Sequence, residues 1–283
     1  MLKLVILIIY FAVLIGIGLY CRKHATDVNG FVLGGRSVGP WLTAFAYGTS
    51  YFSAVVFVGY AGQFGWKYGI AATWAGIGNA IIGSLLAWVI LGRRTRIMSQ
   101  HLDSATMPQY FGKRFGSNPL KIGASVIIFI FLIPYTASLY NGLSRLFGMA
   151  FNIDYSVCII IMATLTAIYV IAGGYMATAI NDFIQGIIML FGIVAVIAAV
   201  IHSKGGFMSA LQGLANVSDP AVSDTPGIFA SFFGPDPFNL LCVVILTSLG
   251  TWGLPQMVQK FYAIDNEASI QKGTVISTIF ALI

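Results

Sequence analysis

The chain has 283 residues, of which 58% are hydrophobic and only 8% charged, where a soluble domain carries about a quarter charged residues. No water-soluble fold of this length hides so much apolar surface, so the lipid bilayer is read as the solvent. The formal net charge is +6, but Lys and Arg gather at the ends of apolar runs without interleaved aromatics, which excludes nucleic acid as the partner.

The apolar runs are about 20 residues long, enough to cross about 30 Å of hydrocarbon as helix. The first, 4–20, looks like a signal peptide until its end, where Tyr20 fills the position that a cleavage or lipidation site reserves for a small residue. Segment 1–21 is therefore predicted to stay as a transmembrane helix. Further spans are predicted at 40–62, 68–92, 122–143, 155–171, 183–201 and 238–257. An eighth opens at Gly273 and reaches Ile283 after about 11 residues, short of the 20 that a span needs, so the reading expects a chain cut off within its last helix. Between the sixth and seventh spans, 203–237 carries Asp219-Pro220, Thr225-Pro226 and Pro235-Asp236-Pro237. It reads as an ordered loop with one short helix near 207–214.

Lys and Arg are retained on the cytoplasmic side during insertion. The loops after spans 1, 3 and 7 hold eleven of the fifteen, and the opposite side holds Lys3, Lys67, Arg145 and Lys204. The expected protein is a multi-pass protein of the cell membrane with its N-terminus outside and 203–237 extracellular. The three cysteines, Cys21, Cys158 and Cys242, form no C-x-x-C pair and are read as packing residues.

Two spans differ from plain membrane helices. The second contains Ala46-Tyr47-Gly48-Thr49-Ser50-Tyr51-Phe52-Ser53, and the seventh contains Thr247-Ser248-Leu249-Gly250-Thr251-Trp252-Gly253-Leu254-Pro255-Gln256. Gly- or Pro-interrupted segments in corresponding places of two halves point to a transporter binding site, because an unwound helix frees carbonyls that replace a cation's hydration shell. Small and hydroxyl residues also serve close helix packing. That plainer reading is kept for the third span, with Gly76, Gly78, Ala80 and Gly83, whereas polarity, breakers and spacing together favour a site in spans 2 and 7. Ionisable groups are nearly absent within the spans, which excludes the carboxylate relay of a proton pump. Asp182, at the mouth of the sixth span, reads equally as a first-turn acid complementing the helix dipole or as an attractor for a cation leaving toward the cytoplasm. There is no nucleophile elbow, H-E-x-x-H or P-loop, so the chain is not read as an enzyme.

These residues carry a resemblance. Phe31-Val32-Leu33-Gly34-Gly35-Arg36-Ser37-Val38-Gly39-Pro40, followed by Gly48 to Ser53, resembles the start of sodium:solute symporters such as bacterial proline and sugar carriers. Gly173-Gly174-Tyr175 with Asp182 and Gln185 resembles that family's sixth span, and Gln259-Lys260-Phe261 with Ala263 the segment after its broken seventh. The resemblance implies an all-α membrane protein with a LeuT-type core of two inverted five-helix repeats. Helix 1–21 precedes the core, 40–202 forms the first repeat, and 238–283 begins the second, left incomplete at the C-terminus. It implies Na⁺ as coupling ion, no cofactor and a small organic solute as partner. Carried over, the sodium site takes the backbone carbonyls of Thr49 and Phe52, with further ligands from a core helix beyond Ile283. Asp182 marks the sodium exit, and Ser50, Tyr51, Ser53, Ser248, Thr251 and Trp252 contact solute.

The sequence departs from both kinds of carrier. Proline carriers have an acid where Tyr51 stands; sugar carriers have Asn there, with Glu and Gln in place of Val55 and Val56. Tyr and Ser hydroxyls with freed N–H groups instead suit a small organic anion. The rivals are a passive channel, which calls for a charged ring or repeated filter loop that the sequence lacks, and a transporter-like sensor module joined to a soluble output domain.

Overall fold

Within a bilayer each backbone N–H and C=O must be satisfied by its own segment, so apolar runs of this length fold as helices. A computed structural model describes residues 2–53 and 55–283; Met1 and Ala54, which belong to the expected segments 1–21 and 40–62, lie outside the described residues. Among these the secondary structure is helical, apart from isolated bridges such as the parallel one between Val38 and Ile264.

Helix α1 (Leu2–Cys21) is followed by the short α2 (Val28–Leu33), opened by the Asp27 carboxylate accepting from the Gly30 amide. The second span starts as α3 (Pro40–Tyr51), stops at Phe52 (φ −89°, ψ 61°), and resumes as a wide turn over Val55–Ala61 and α4 (Gly62–Tyr68). Gly69 (φ 62°, ψ −139°) turns the chain into the third span. A Cβ there would lie 2.1 Å from the Phe229 carbonyl oxygen, so the loop packs directly on this corner. The third span runs through α5 (Thr73–Gly78), wide turns over Asn79–Leu86 and Trp88–Gly92, and α6 (Arg93–His101). Then come α7 (Met107–Phe115), α8 (Asn118–Phe151), α9 (Tyr155–Ser203), α10 (Phe207–Ala215), α11 (Pro237–Gly250), α12 (Pro255–Ala263) and α13 (Glu267–Leu282). Three stretches, Gly59–His101, α8 and α9, are long and apolar enough to cross a membrane, and the pair α11 and α12, bent by 53°, makes a fourth; Val5–Cys21 is a shorter apolar helix.

Two expectations are corrected. The fifth and sixth spans, expected at 155–171 and 183–201 with a loop between, form the 49-residue α9. Straight, it would measure roughly 70 Å, about twice the hydrocarbon thickness; instead Gly174, at φ 57° and ψ −150°, divides it into two arms. The polar residues that imitate a loop face protein: Asn181 is 1% exposed, and Ala177 and Ala179 beside it are buried. Asp182 therefore lies about two turns inside the second arm, and its reading as a first-turn acid fails. The last helix likewise begins earlier than Gly273, at Glu267, capped by the Asn266 side chain accepting from the Ser269 amide.

The main core sits where the broken helices meet. Tyr47 and Tyr51 of α3 pack with Trp88, with Met257 and Phe261 of α12, and with Ile270 of α13. By contrast α8 turns Phe129 and Phe131 outward, as suits lipid. Two arginines tie the ends of this core together. Arg36 donates to the Ser99 hydroxyl and to the carbonyls of Ser99, Ser104 and Tyr262, at 2.9–3.2 Å. Arg96 donates to the carbonyls of Ile264 and Asp265. The Val38 amide reaches the Ala263 carbonyl at 3.3 Å and the Asp265 amide the Val38 carbonyl at 3.0 Å. The residues before α3 are thus joined through main chain to the residues after α12.

Candidate functional site: two interrupted helices joined through Asn79

Helix α3 is held firmly up to its break. The Tyr47 hydroxyl donates to the Gly83 carbonyl at 2.9 Å and the Thr49 hydroxyl to the Phe45 carbonyl at 2.9 Å. Gly48 and Gly186 leave no room for a side chain, since a Cβ would fall 2.3 Å from the Phe280 ring and 2.6 Å from the Phe45 ring. So α3, the second arm of α9 and α13 converge on the turn 45–49. The Phe52 amide still donates to the Gly48 carbonyl at 2.8 Å, and regular helix ends there. The carbonyls of a helix's last turn, here 49–51, have no partner within the helix. The Thr49 hydroxyl spends its proton within its own helix, and the carbonyl of that residue is offered outward.

The second interruption has a covalent cause. After α11 the chain makes a tight turn over Thr251–Gly253, and Leu254 is extended (φ −69°, ψ 128°) before Pro255 opens α12. Proline supplies no N–H and its ring crowds the preceding turn, so Pro255 favours a break at Leu254, although α8 runs on through Pro134.

Between the interruptions lies a cavity of about 730 Å³, lined by Ser50, Tyr51, Phe52 and Ser53 on one side and by Thr247, Gly250 and Thr251 on the other. A second cavity of about 470 Å³ is lined by Thr49, Ser50, Ser53, Tyr135, Gln256 and Gln259. Ser50 and Ser53 line both, so the break in α3 stands between them. The Gln256 carboxamide is buried at the second cavity with neither its nitrogen nor its oxygen partnered among the described residues. A buried amide without partners costs free energy.

Of the six residues expected to contact solute, Ser50, Tyr51, Ser53 and Thr251 line the larger cavity. Ser248 and Trp252 turn to the third span: Ser248 is fully buried and donates to Asn79 Oδ1 at 3.0 Å, and Trp252 Nε1 donates to the Ile82 carbonyl at 3.0 Å. For the sodium pair, Thr49 lines the smaller cavity and Phe52 the larger.

Sequence reasoning missed Asn79 by treating the third span as packing only. Its carboxamide oxygen accepts from the Tyr51 hydroxyl at 2.7 Å and from Ser248, which joins α3 and α11 through one buried group. A lone carboxamide in an apolar span was the available signal. Asp182 is set apart from both cavities. It pairs with Lys260 Nζ at 3.4 Å, and the ammonium lies 5.2 Å from the centre of the Tyr175 ring. Among the described residues no three His, Cys, Asp or Glu side chains converge as metal ligands would.

The family model of the sodium:solute symporter family matches residues 31–283, which takes in both interruptions. The chain belongs to the sodium:solute symporter family. Within it, the chain is 31% identical over 261 residues to the osmoregulated proline transporter OpuE of Bacillus subtilis (strain 168), covering 91% of this chain and 51% of the relative. It is 31% identical over 282 residues to a sodium/proline symporter of Staphylococcus aureus (strain JH9), covering 95% of this chain and again 51% of the relative. The chain spans about half the length of the curated relatives it matches. Against this symporter family frame, α1 lies before the matched region and the signature residues Gly173 to Gln185 fall within α9.

Proposed function

We propose that this chain works in sodium-coupled uptake of a small organic solute by alternating access. The observation that carries the reading is the pair of helix interruptions facing each other across one cavity and joined through Asn79. Sodium, as cargo, is assigned to the break in α3 with the carbonyls of Thr49 and Phe52 as ligands. An unwound segment there can exchange protein oxygens for a cation's water. Solute is assigned to the adjoining cavities, against Ser50, Tyr51, Ser53 and Thr251, with Gln256 supplying a buried amide. Ser248 and Trp252 act through the third span, holding the second interruption in place.

The proposed architecture is a LeuT-type pair of inverted repeats, over 40–202 and from 238 onward, with an extra helix over 1–21 and an extracellular loop at 203–237. Its support is the recurrence of an interrupted helix at the start of each repeat. With the N-terminus outside, Asp182 lies toward the cytoplasm, where a carboxylate serves a departing cation. Sodium binding favours the state open to the outside, which then admits solute. By linkage, sodium and solute raise each other's affinity by the same factor.

The test is solute uptake into proteoliposomes holding the full-length protein, with and without an inward sodium gradient. Uptake driven by the gradient supports the reading, and uptake indifferent to sodium overturns it. The solute proposed is a small organic anion, because the wall at Tyr51 offers hydroxyls and no carboxylate. The proline named for the relatives is an alternative solute that the same assay scores.

A further inference from the structure

We infer that Lys260 is a tethered competitor of sodium: its ammonium holds the Asp182 carboxylate, and a sodium ion leaving the break in α3 must displace it. The inference rests on the uptake reading above and deepens it by naming the contact that the departing ion exchanges.

The pair stands on two helices that flank the end of α3, one turn beyond the level of Thr49 on each. On α9, Gly186 lies against that residue: a Cβ there would fall 3.1 Å from Thr49 Cγ2 and 2.6 Å from the Phe45 ring. Asp182 precedes Gly186 by one turn, about 6 Å along the helix. On α12, Gln256 lines the smaller cavity together with Thr49, and Lys260 follows it by the same distance along the chain. The far side of the pair is marked too. A Cβ on Gly174 would meet the Phe31 carbonyl oxygen at 2.8 Å, and Gln259 Nε2 donates to the Val32 carbonyl at 2.6 Å. Asp182 and Lys260 are thus held between the level of Thr49 and that of Phe31 and Val32, which, with the N-terminus outside, is the cytoplasmic side.

Charge decides what such a pair can do. A carboxylate within a membrane-embedded segment needs a compensating charge in every state of the protein, because losing its partner leaves it buried and unpaired. Lys260 supplies that charge here at 3.4 Å, longer than the roughly 2.7–2.9 Å of a tight charge-assisted hydrogen bond. The ammonium also has a second resting place, since it lies 5.2 Å from the centre of the Tyr175 ring, within reach of a cation–π contact. It can therefore turn from the carboxylate to the ring without being stranded. A sodium ion arriving from Thr49 takes the vacated place beside Asp182, and the return of the ammonium expels it.

Sodium protection against heat tests this whatever the solute. Melting curves of the full-length protein in dodecyl maltoside would be recorded over a range of NaCl, with choline chloride keeping the ionic strength constant. The proteins compared are wild type, Lys260→Met, Lys260→Arg, Asp182→Asn and the Asp182→Asn/Lys260→Met double variant. Freed of its competitor, Lys260→Met is expected to reach half-maximal protection at a sodium concentration at least about fivefold lower, the low end of coupling between linked ligands. In the double variant that gain should vanish, because the carboxylate that used it is gone. Asp182→Asn alone, with an unpaired ammonium beside the path, should need more sodium than the double variant. Lys260→Arg keeps the charges balanced, which leaves the measurement open where Lys260→Met does not fold. A guanidinium grips a carboxylate through two hydrogen bonds, so this variant should need more sodium than wild type. A purely structural pair would displace the melting temperatures and leave the half-maximal sodium concentration the same in all variants, and that result overturns the assignment. A gain in Lys260→Met that persists in the double variant overturns it too. Wild type unprotected by sodium, with uptake indifferent to the sodium gradient, overturns the uptake reading itself.

Discussion

Lys260 Nζ stands 3.4 Å from Asp182 Oδ2, with the lysine side chain 8% exposed and the aspartate 23%. The pair connects α12, directly after the second interruption, to the second arm of α9, and the ammonium also faces the Tyr175 ring. Ion pairs at this depth are costly to split, because removing one partner leaves the other charge buried and uncompensated.

Asp182→Asn is accordingly expected to destabilise the protein by about 3 kcal/mol, the lower end of what breaking a buried pair costs, since the aspartate is partly accessible. Combining it with Lys260→Met should recover most of that loss. Melting temperatures of the single and double variants in detergent check the ordering. Uptake separates the two roles of the acid: if it also guides sodium outward from its site, the double variant regains stability yet keeps a lowered maximal rate. A double variant with wild-type transport would confine Asp182 to structure.

Gly174 carries the bend between the arms of α9 at φ 57° and ψ −150°, a backbone region nearly reserved for glycine. A Cβ there would also lie 2.8 Å from the Phe31 carbonyl oxygen. Gly174→Ala should cost about 2–3 kcal/mol from the torsion alone and more from the contact. The expected outcome is a lower melting temperature and poor membrane expression, whereas Gly192→Ala, a position with open space on the same helix, should be neutral or slightly stabilising.

These cases show what hydropathy alone conveys. The order of the apolar runs, the short helix after span 6 and both interruptions were legible, because membrane helices need about 20 apolar residues and because Gly48 to Ser53 and Gly250 to Pro255 break that pattern. The junction at 172–182 was not legible as helix. Its Thr178, Asn181 and Asp182 look like loop residues until their partners are known, and those partners are distant in sequence: Lys260 lies 78 residues from Asp182. Asn79 was missed for the same reason. Its role comes from Tyr51 and Ser248, respectively 28 and 169 residues away, and periodicity within one span carries no record of them. The direction of Ser248 and Trp252 away from the cavity likewise depends on packing against the third span.

Thr49 separates side chain from main chain in the proposed sodium site. Its hydroxyl proton goes to the Phe45 carbonyl within α3, and with the carbonyl assigned as the ligand Thr49→Ala should change sodium affinity less than about threefold. Thr49→Pro removes the residue's amide from the ladder and clashes with the turn before it. It should abolish sodium-driven uptake. Sodium titration of uptake for the two variants checks this, and a large loss in Thr49→Ala would move the hydroxyl into the ion's coordination shell.

Gly83 sets the position of Tyr51. A Cβ on residue 83 would fall 1.9 Å from the Tyr51 hydroxyl oxygen and 2.6 Å from the ring carbon bearing it, too close for any adjustment short of moving the ring. Gly83→Ala should therefore drive the Tyr51 ring out of its place, ending its bonds to Asn79 and to the Thr247 carbonyl and pushing it toward the cavity. Helix propensity acts the other way, favouring alanine over glycine by up to about 1 kcal/mol, so the fold should tolerate the change better than transport does. Uptake is expected to fall at least tenfold with the melting temperature lowered only slightly. Tyr51→Phe alone removes the hydrogen bonds but leaves the ring in place, and should reduce uptake less than Gly83→Ala. Measuring both variants distinguishes displacement of the ring from loss of its hydroxyl, and equal effects would show that the hydroxyl bond alone governs the site.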